Sequence, residues 1–236
     1  MCGRFILVDV IGLGLRFRVQ MTDDMSLVPR FNIAPTQQVW TITNEDGLRR
    51  AEQMRWGLIP SWAKSANQIR SSFNARSDRL AGSGLWQRSF TGRRCIIPAN
   101  GFYEWTGPKN NRQPHLIRLT EGRLLGFAGL FDAWQNLDTG EMVRSCAIIT
   151  TGPNALMKTI HDRMPAILDV ESEALWLDPS TEDTERLSAL LQPYPAEEME
   201  RHAVSKNVNS VHHDRSEMIE ALDMSKCGAT SWQSGF

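Results

Sequence analysis

Long apolar runs are missing from this sequence, and none approaches the ~20 residues that a membrane-spanning helix needs. The opening residues Met1-Cys2-Gly3-Arg4 also lack the basic n-region and apolar h-region of a secretory leader. The chain is therefore expected in the cytoplasm, or in the nucleus of a eukaryotic cell, with no membrane partner. Cysteine is scarce: the four, at 2, 95, 146 and 227, make no C-x-x-C pair, and a reducing compartment argues against a disulfide framework. The five histidines, at 115, 161, 202, 212 and 213, have no metal-ligand spacing with them. Neither a metal site nor another cofactor is expected. No internal repeat is visible in the chain.

What is there fits one globular domain. A length of 236 residues at 41% hydrophobic content suffices for a single substantial core. The net charge of −1 conceals an asymmetry. Residues 49–94 carry ten Arg and Lys against two acids, a net of +8, and residues 169–200 carry ten acids against one Arg, a net of −9. Trp56, Trp62, Phe73 and Trp86 are interleaved with the basic stretch. Cations among aromatics suit a groove that follows phosphates and stacks bases, although a solvated charged face has the same composition.

Alternating and β-rich segments predict strands at Cys2–Val8, Val39–Thr43, Leu48–Trp56, Arg94–Ala99, Gly101–Trp105, His115–Leu119, Leu125–Phe131 and Ser145–Thr150. In the second half of that series Glu104 shares a face with Phe102, opposite Tyr103 and Trp105. Helices are expected over 76–89, Ala155–Ile160, from an N-cap at Thr181, and Ser216–Leu222, with a loose tail at 225–236. Short strands with helices inserted between and after them give an α+β fold: one domain with a strongly curved, mainly antiparallel, barrel-like sheet and peripheral helices.

The chemistry gathers on Cys2. Initiator methionine is generally trimmed before a small side chain, so the mature chain is expected to begin at Cys2, with a free amine and a thiol on adjacent carbons. A 1,2-aminothiol traps aldehydes: the amine forms an imine and the thiol closes a thiazolidine ring. Both groups ordinarily titrate near neutrality, at about 8 and about 8.5. The competing reading is a small apolar residue at a chain start. Glu104, among aromatics, is a candidate proton shuttle, or else an ion-paired residue at a strand end. His161 can exchange a proton near pH 7, or cap a helix. Asn74 can orient the amine, or merely occupy a turn. Arg4 and Arg76 can hold phosphates, or form structural ion pairs.

Seven ordered blocks carry a resemblance that runs from Cys2 to about Leu222: MCGRF at 1–5, RFNIAPT at 30–36, WGLIPSWAK at 56–64, FNARSD at 73–78, RRCIIPANGFYEW at 93–105, FAGLFDAW at 127–134 and HDRMPAIL at 161–168. The chain resembles the SRAP (SOS response-associated peptidase) family of abasic-site processing proteins. The resemblance implies that Cys2, once Met1 is gone, crosslinks to the ring-opened aldehyde of an abasic site in single-stranded DNA and protects the lesion from strand cleavage. Lyase-type chemistry and autocatalytic removal of Met1 are further implications. By position, Asn74, Glu104 and His161 match the family's other catalytic residues, and Arg4 and Arg76 match its phosphate-holding positions. Asp78 stands where many members have Glu. Ala63 replaces the second Trp of a pair, which leaves base stacking to Trp62. The expected unit is residues 1–224, acting as a monomer.

Two rivals stand beside this reading. A cysteine amidohydrolase with an N-terminal nucleophile would turn Cys2 on an amide and needs an oxyanion hole. A non-catalytic single-stranded DNA-binding module would keep its whole function without Cys2.

Overall fold

The computed structural model describes residues 2–20, 27–45, 47–69 and 72–222. Met1, Cys227 and the expected tail at 225–236 lie outside the described residues. The strands are β1 (Phe5–Leu7), β2 (Arg30–Ile33), β3 (Gln38–Glu45), β4 (Leu48–Trp56), β5 (Asn74–Arg76), β6 (Arg94–Ala99), β7 (Gly101–Thr106), β8 (Gln113–Leu119), β9 (Leu125–Gln135), β10 (Met142–Thr151), β11 (Met164–Pro165), β12 (Ile167–Leu168) and β13 (Met199–Ala203). Four short helices accompany them: α1 (Leu13–Phe17), α2 (Gln87–Gly92), α3 (Val170–Leu177) and α4 (Thr184–Ala189).

Five strands close on themselves. β4 pairs with β3, β3 with β6, β6 with β9, β9 with β10, and β10 returns to β4. Closure leaves these strands without open edges. β10 runs parallel to β4 and to β5, and the other pairings are antiparallel. The expected α+β domain with a curved, mainly antiparallel, barrel-like sheet is therefore what forms. Its interior is tight: a Cβ on Gly129 of β9 would lie 2.8 Å from the Cys95 sulfur, so only glycine lets β6 and β9 approach this closely.

A second sheet, in the order β13-β8-β7-β1-β2, leaves the barrel where β6 runs on into β7. Asn100 makes that bend. Its Oδ1 accepts the N–H groups of Val8 and Asp9 at 2.8 and 2.9 Å, so the bend also holds the chain that leaves β1. Phe5 on β1 points into the barrel core, edge-on to Trp56 at 5.1 Å and to Phe127 at 5.9 Å. Burial of such a ring stabilises by about 1.5–3 kcal/mol, which anchors the chain three residues after Cys2. The alternation expected in β7 holds: Phe102 joins the barrel core, while Tyr103 joins a smaller cluster with Ile6, Leu116, Val204, Val208 and Met218.

Several local expectations differ from what forms. Residues 76–89 are not one helix: Asn74–Arg76 pairs with β10, Ser77–Arg79 is a 3₁₀ turn, and α2 begins only at Gln87. Strand pairing with a distant partner outweighs a helical pattern already weakened by Gly82 and Gly84. Residues 155–160 and 216–222 make only 3₁₀ turns, at Met157–Thr159 and Ser216–Ile219. The cap of α4 is Asp183, accepting from the N–H groups of Glu185 and Arg186, rather than Thr181. Helix α3, capped by Asp169, had no counterpart among the expected elements.

Candidate active site

Cys2 lies just ahead of β1, and β1 pairs with β7 so that Phe5 faces Phe102. Tyr103 N–H donates to the Arg4 carbonyl at 2.9 Å, extending the pairing toward the start of the chain, where the charge of Glu104 reaches Cys2. From the other side comes β5. Its position is set by β10, whose Ile148 N–H donates to Phe73 O at 3.0 Å, and by the Trp56 indole N–H, which donates to the same carbonyl at 2.9 Å. The first residue of β5 is Asn74, and its Nδ2 donates to the Cys2 carbonyl at 2.7 Å.

This surrounding is dry. Cys2 and Glu104 are both buried, at 0% and 4% exposure. Burial pushes the Cys2 thiol well above its ordinary value, and the nearby Glu104 carboxylate pushes it further in the same direction. The thiol expected near neutrality is thus shifted upward, toward its protonated form. Glu104 is the carboxylate whose charge reaches it.

His161 follows the 3₁₀ turn at Met157–Thr159, with its N–H donating to Met157 O at 2.8 Å. Its Nδ1 accepts the Arg163 N–H at 3.0 Å, which in the neutral ring puts the proton on Nε2. Asp162 Oδ1 lies 2.8 Å from the same Nδ1, a contact that attracts only when Nδ1 itself carries a proton. The two contacts call for different protonation states. The amide contact governs the neutral ring, because Asp162 is 86% exposed and water screens its charge.

A cluster of charge adjoins β5. Arg76 grips Asp78 with two hydrogen bonds, Nε to Oδ1 at 3.0 Å and a terminal nitrogen to Oδ2 at 2.7 Å. The guanidinium holds the Asp78 carboxyl down at about 2 and is itself raised by it. Arg163 approaches the same carboxylate at 3.6 Å, while its Nε donates to Thr150 Oγ1 at 3.0 Å. Asn74, Arg76, Asp78, Arg79 and Trp86 border a cavity of about 690 Å³.

Arg4 turns elsewhere. Its guanidinium donates to Asn32 Oδ1 at 2.7 Å and to the carbonyls of Val208 and Asn209 at 2.6 and 3.1 Å. It borders a different cavity, of about 570 Å³, together with Gly3 and Trp105. Trp62 is 53% exposed on a loop that Ser61 N–H anchors to Asp132 at 2.8 Å, and it borders neither of these cavities.

The structure thus brings Cys2, Asn74 and Glu104 together, sets Arg76 two residues from Asn74, and places Arg4 and Trp62 on separate surfaces. Arg163 was not among the expected site residues, and Trp86 was expected only as one of the aromatics interleaved with the basic stretch. Arg163 was legible only as part of the His161-Asp162-Arg163 run. The basic count of residues 49–94 also dissolves in part: Arg49 pairs with Glu173, Arg93 with Asp132, and buried Arg94 donates to the carbonyls of Phe90, Thr91, Trp176 and Thr181. Among the described residues, no group of three or more His, Cys, Asp and Glu side chains is arranged to hold a metal ion, and no helix is long and apolar enough to cross a membrane.

Comparison with known proteins adds to this geometry. A family model described as "SOS response associated peptidase (SRAP)" matches residues 1–211. The chain is 42% identical over 228 residues to abasic site processing protein YoqW of Bacillus subtilis, covering 94% of this chain and all of that one. It is 36% identical over 191 residues to abasic site processing protein HMCES of Xenopus tropicalis, covering 72% of this chain and 56% of that one. A crystal structure of a protein from Bacteroides thetaiotaomicron superposes with a TM-score of 0.84 at 28% identity, covering 94% of this chain and all of that chain.

Proposed function

The chain belongs to the SOS response associated peptidase family, and from that premise we propose that it processes abasic sites in single-stranded DNA by crosslinking to them through Cys2. The observation that carries the proposal is the joint hold on Cys2: its carbonyl is fixed by Asn74, and its thiol is in reach of the charge of buried Glu104. Relatives named for abasic-site processing support the substrate class.

With Met1 removed, the α-amine of Cys2 adds to the C1′ aldehyde of the ring-opened sugar. The carbinolamine loses water to give an iminium. The thiol sulfur then bonds to C1′ as its proton passes to a base, closing the thiazolidine. The net change is aldehyde plus aminothiol to thiazolidine plus one water. Glu104 is the base for the amine and then for the thiol, and a buried carboxylate next to a forming iminium also stabilises that cation. Asn74 fixes the backbone that carries both nucleophiles, so their geometry is set before the lesion arrives. His161, protonated on Nε2 when neutral, acts on the sugar hydroxyl during ring opening and reprotonates the imine on reversal. Arg76 exchanges Asp78 for a DNA phosphate, Arg4 supports the strand on the other side, and Trp62 stacks on a base.

Consuming the aldehyde removes the electrophile that drives β-elimination, which shields the strand. An imine at the same amine also permits lyase chemistry, and release of Met1 is the peptidase step. We take residues 1–224 as the unit that acts, as a monomer. Denaturing electrophoresis with an abasic oligonucleotide tests the proposal: a band surviving denaturation in the wild type and lost in Cys2→Ala is expected, and a Cys2→Ala protein that still crosslinks overturns it.

A further inference from the structure

The acidic stretch 169–200 takes no part in the chemistry at Cys2, yet it supplies one border of a cavity of about 650 Å³. Helix α1 and the turn before it supply another, through Leu15, Gly12 and Asp9. Leu119, Leu125, Ile167 and Leu168, all buried, line it as well. Among the described residues it shares none of its lining with the cavities bordered by Arg4 or by Arg76.

Apolar side chains stand in water where this cavity opens. Leu15 is 89% exposed and Val170, the first residue of α3, is 54% exposed. Leu13 and Phe17 already give α1 its buried face, so Leu15 adds nothing to the core. Ile11, next to Gly12, is exposed too. Exposed apolar groups gathered around a hollow mark an interaction surface rather than a packing need. The two helices that carry them are fixed to each other: Arg16 of α1 meets buried Glu173 of α3 with two contacts, at 3.0 and 2.7 Å. Asp9 Oδ1 accepts the Gly12 N–H at 2.8 Å and Asp169 Oδ1 accepts the Ser172 N–H at 2.6 Å, which hold the chain entering each helix. The groove is therefore formed before anything binds.

Its charge selects the occupant. Asp9, Asp169, Glu171 and Glu198 line it, and the first three are exposed. The cations beside them, Arg16 and Arg123, are already engaged, the first with Glu173 and the second with Glu121 at 3.1 Å and Glu198 at 3.2 Å. An anionic rim repels a phosphodiester strand, and a two-fold pairing of this chain through the groove would set the same carboxylates against each other. Lysine and arginine around apolar anchors complement it. We propose that the groove between α1 and the start of α3 docks a short basic, amphipathic segment of another protein, whose apolar side chains cover Leu15 and Val170 and whose cations face Asp9, Asp169 and Glu171.

A random-peptide phage library selected on the full chain supplies the probes, and the selected peptides are resynthesised with a fluorescent label. Their Kd values are measured by anisotropy for the wild type, Leu15→Asp/Val170→Asp, Leu15→Ser/Val170→Ser and Glu171→Lys. Melting temperatures show that each variant is folded, as expected for side chains that stand in water. The peptides are expected to be net positive with apolar residues among the cations. Both double variants are expected to weaken them by about tenfold or more, the loss that goes with removing anchor contacts. Glu171→Lys is expected to weaken them more at low salt than at high salt. Selected peptides that are neutral or acidic, or that bind all the variants as they bind the wild type, overturn the proposal. So does a wild type that sediments as a dimer while Leu15→Ser/Val170→Ser is a monomer, because the occupant is then a second copy of the chain.

Discussion

The side-chain amide of Asn74 holds the main-chain carbonyl of Cys2 at 2.7 Å across 72 residues of sequence. This bond links a short strand fixed by the barrel to the residue that carries both nucleophiles. A neutral hydrogen bond of this kind contributes about 0.5–1.5 kcal/mol. Asn74→Ala is therefore expected to slow crosslinking by roughly 2- to 12-fold if the bond is fully made in the transition state. Asn74→Asp, which sets a carboxylate against a carbonyl, is expected to be slower still. Single-turnover rates with an abasic oligonucleotide check both.

Glu104 raises the Cys2 thiol by its charge, in addition to burial. Removing a negative charge favours the thiolate, so Glu104→Gln is expected to lower the thiol's titration midpoint while slowing crosslinking, because the base is lost. A base is worth about 10²–10⁴ in rate. The thiolate absorbance difference between each protein and its Cys2→Ala counterpart reads the midpoint. His161→Ala is expected to slow crosslinking without moving it. A Glu104→Gln midpoint equal to wild type, or crosslinking at full speed in the Glu104→Gln/His161→Ala protein, contradicts these assignments.

Asp78 occupies Arg76 in the free protein with a fork-to-fork pair that is about half exposed. Such exposed pairs add little to stability. Asp78→Asn is expected to tighten single-stranded DNA binding, with an unchanged melting temperature. Arg76→Ala is expected to weaken binding and flatten the log–log salt dependence by about 0.7, the value for one phosphate on a single strand. Trp62→Ala is expected to cost about 1–3 kcal/mol of DNA binding through lost stacking. Titrations at several salt concentrations decide each.

The buried thiols give stability a pH dependence of definite sign. Burial raises Cys2, Cys95 and Cys146 alike. An unfolded thiol titrates near about 8.5, so above that pH the folded state holds protons that the unfolded state has lost, and stability falls as pH rises. Melting temperatures measured on either side of that value are expected to drop on the alkaline side, less steeply in Cys146→Ala. A flat profile would mean that these thiols ionise within the fold.

Much of this was legible in the sequence where neighbours in the chain decide the outcome. The alternation around Glu104 places it opposite Tyr103 and beside Phe102, and the strands from Arg94 to Thr150 follow their β-rich runs. What could not be read depends on partners far along the chain. Arg49 is neutralised by Glu173 and Arg93 by Asp132, so a count of local charge overstates the basic groove. Residues 74–76 become a strand because β10 is there to pair with them. The groove beside Leu15 and Val170 likewise exists only once Arg16 of α1 meets Glu173 of α3.

The central claim is that Cys2 supplies both atoms of a thiazolidine ring, and intact mass spectrometry of the protein after reaction with an abasic oligonucleotide tests it most directly. The predicted species has the mass of the chain lacking Met1 plus the oligonucleotide minus one water, is stable to denaturation, and is absent from Cys2→Ala. An adduct that retains Met1, or one that forms equally well in Cys2→Ala, would contradict the account.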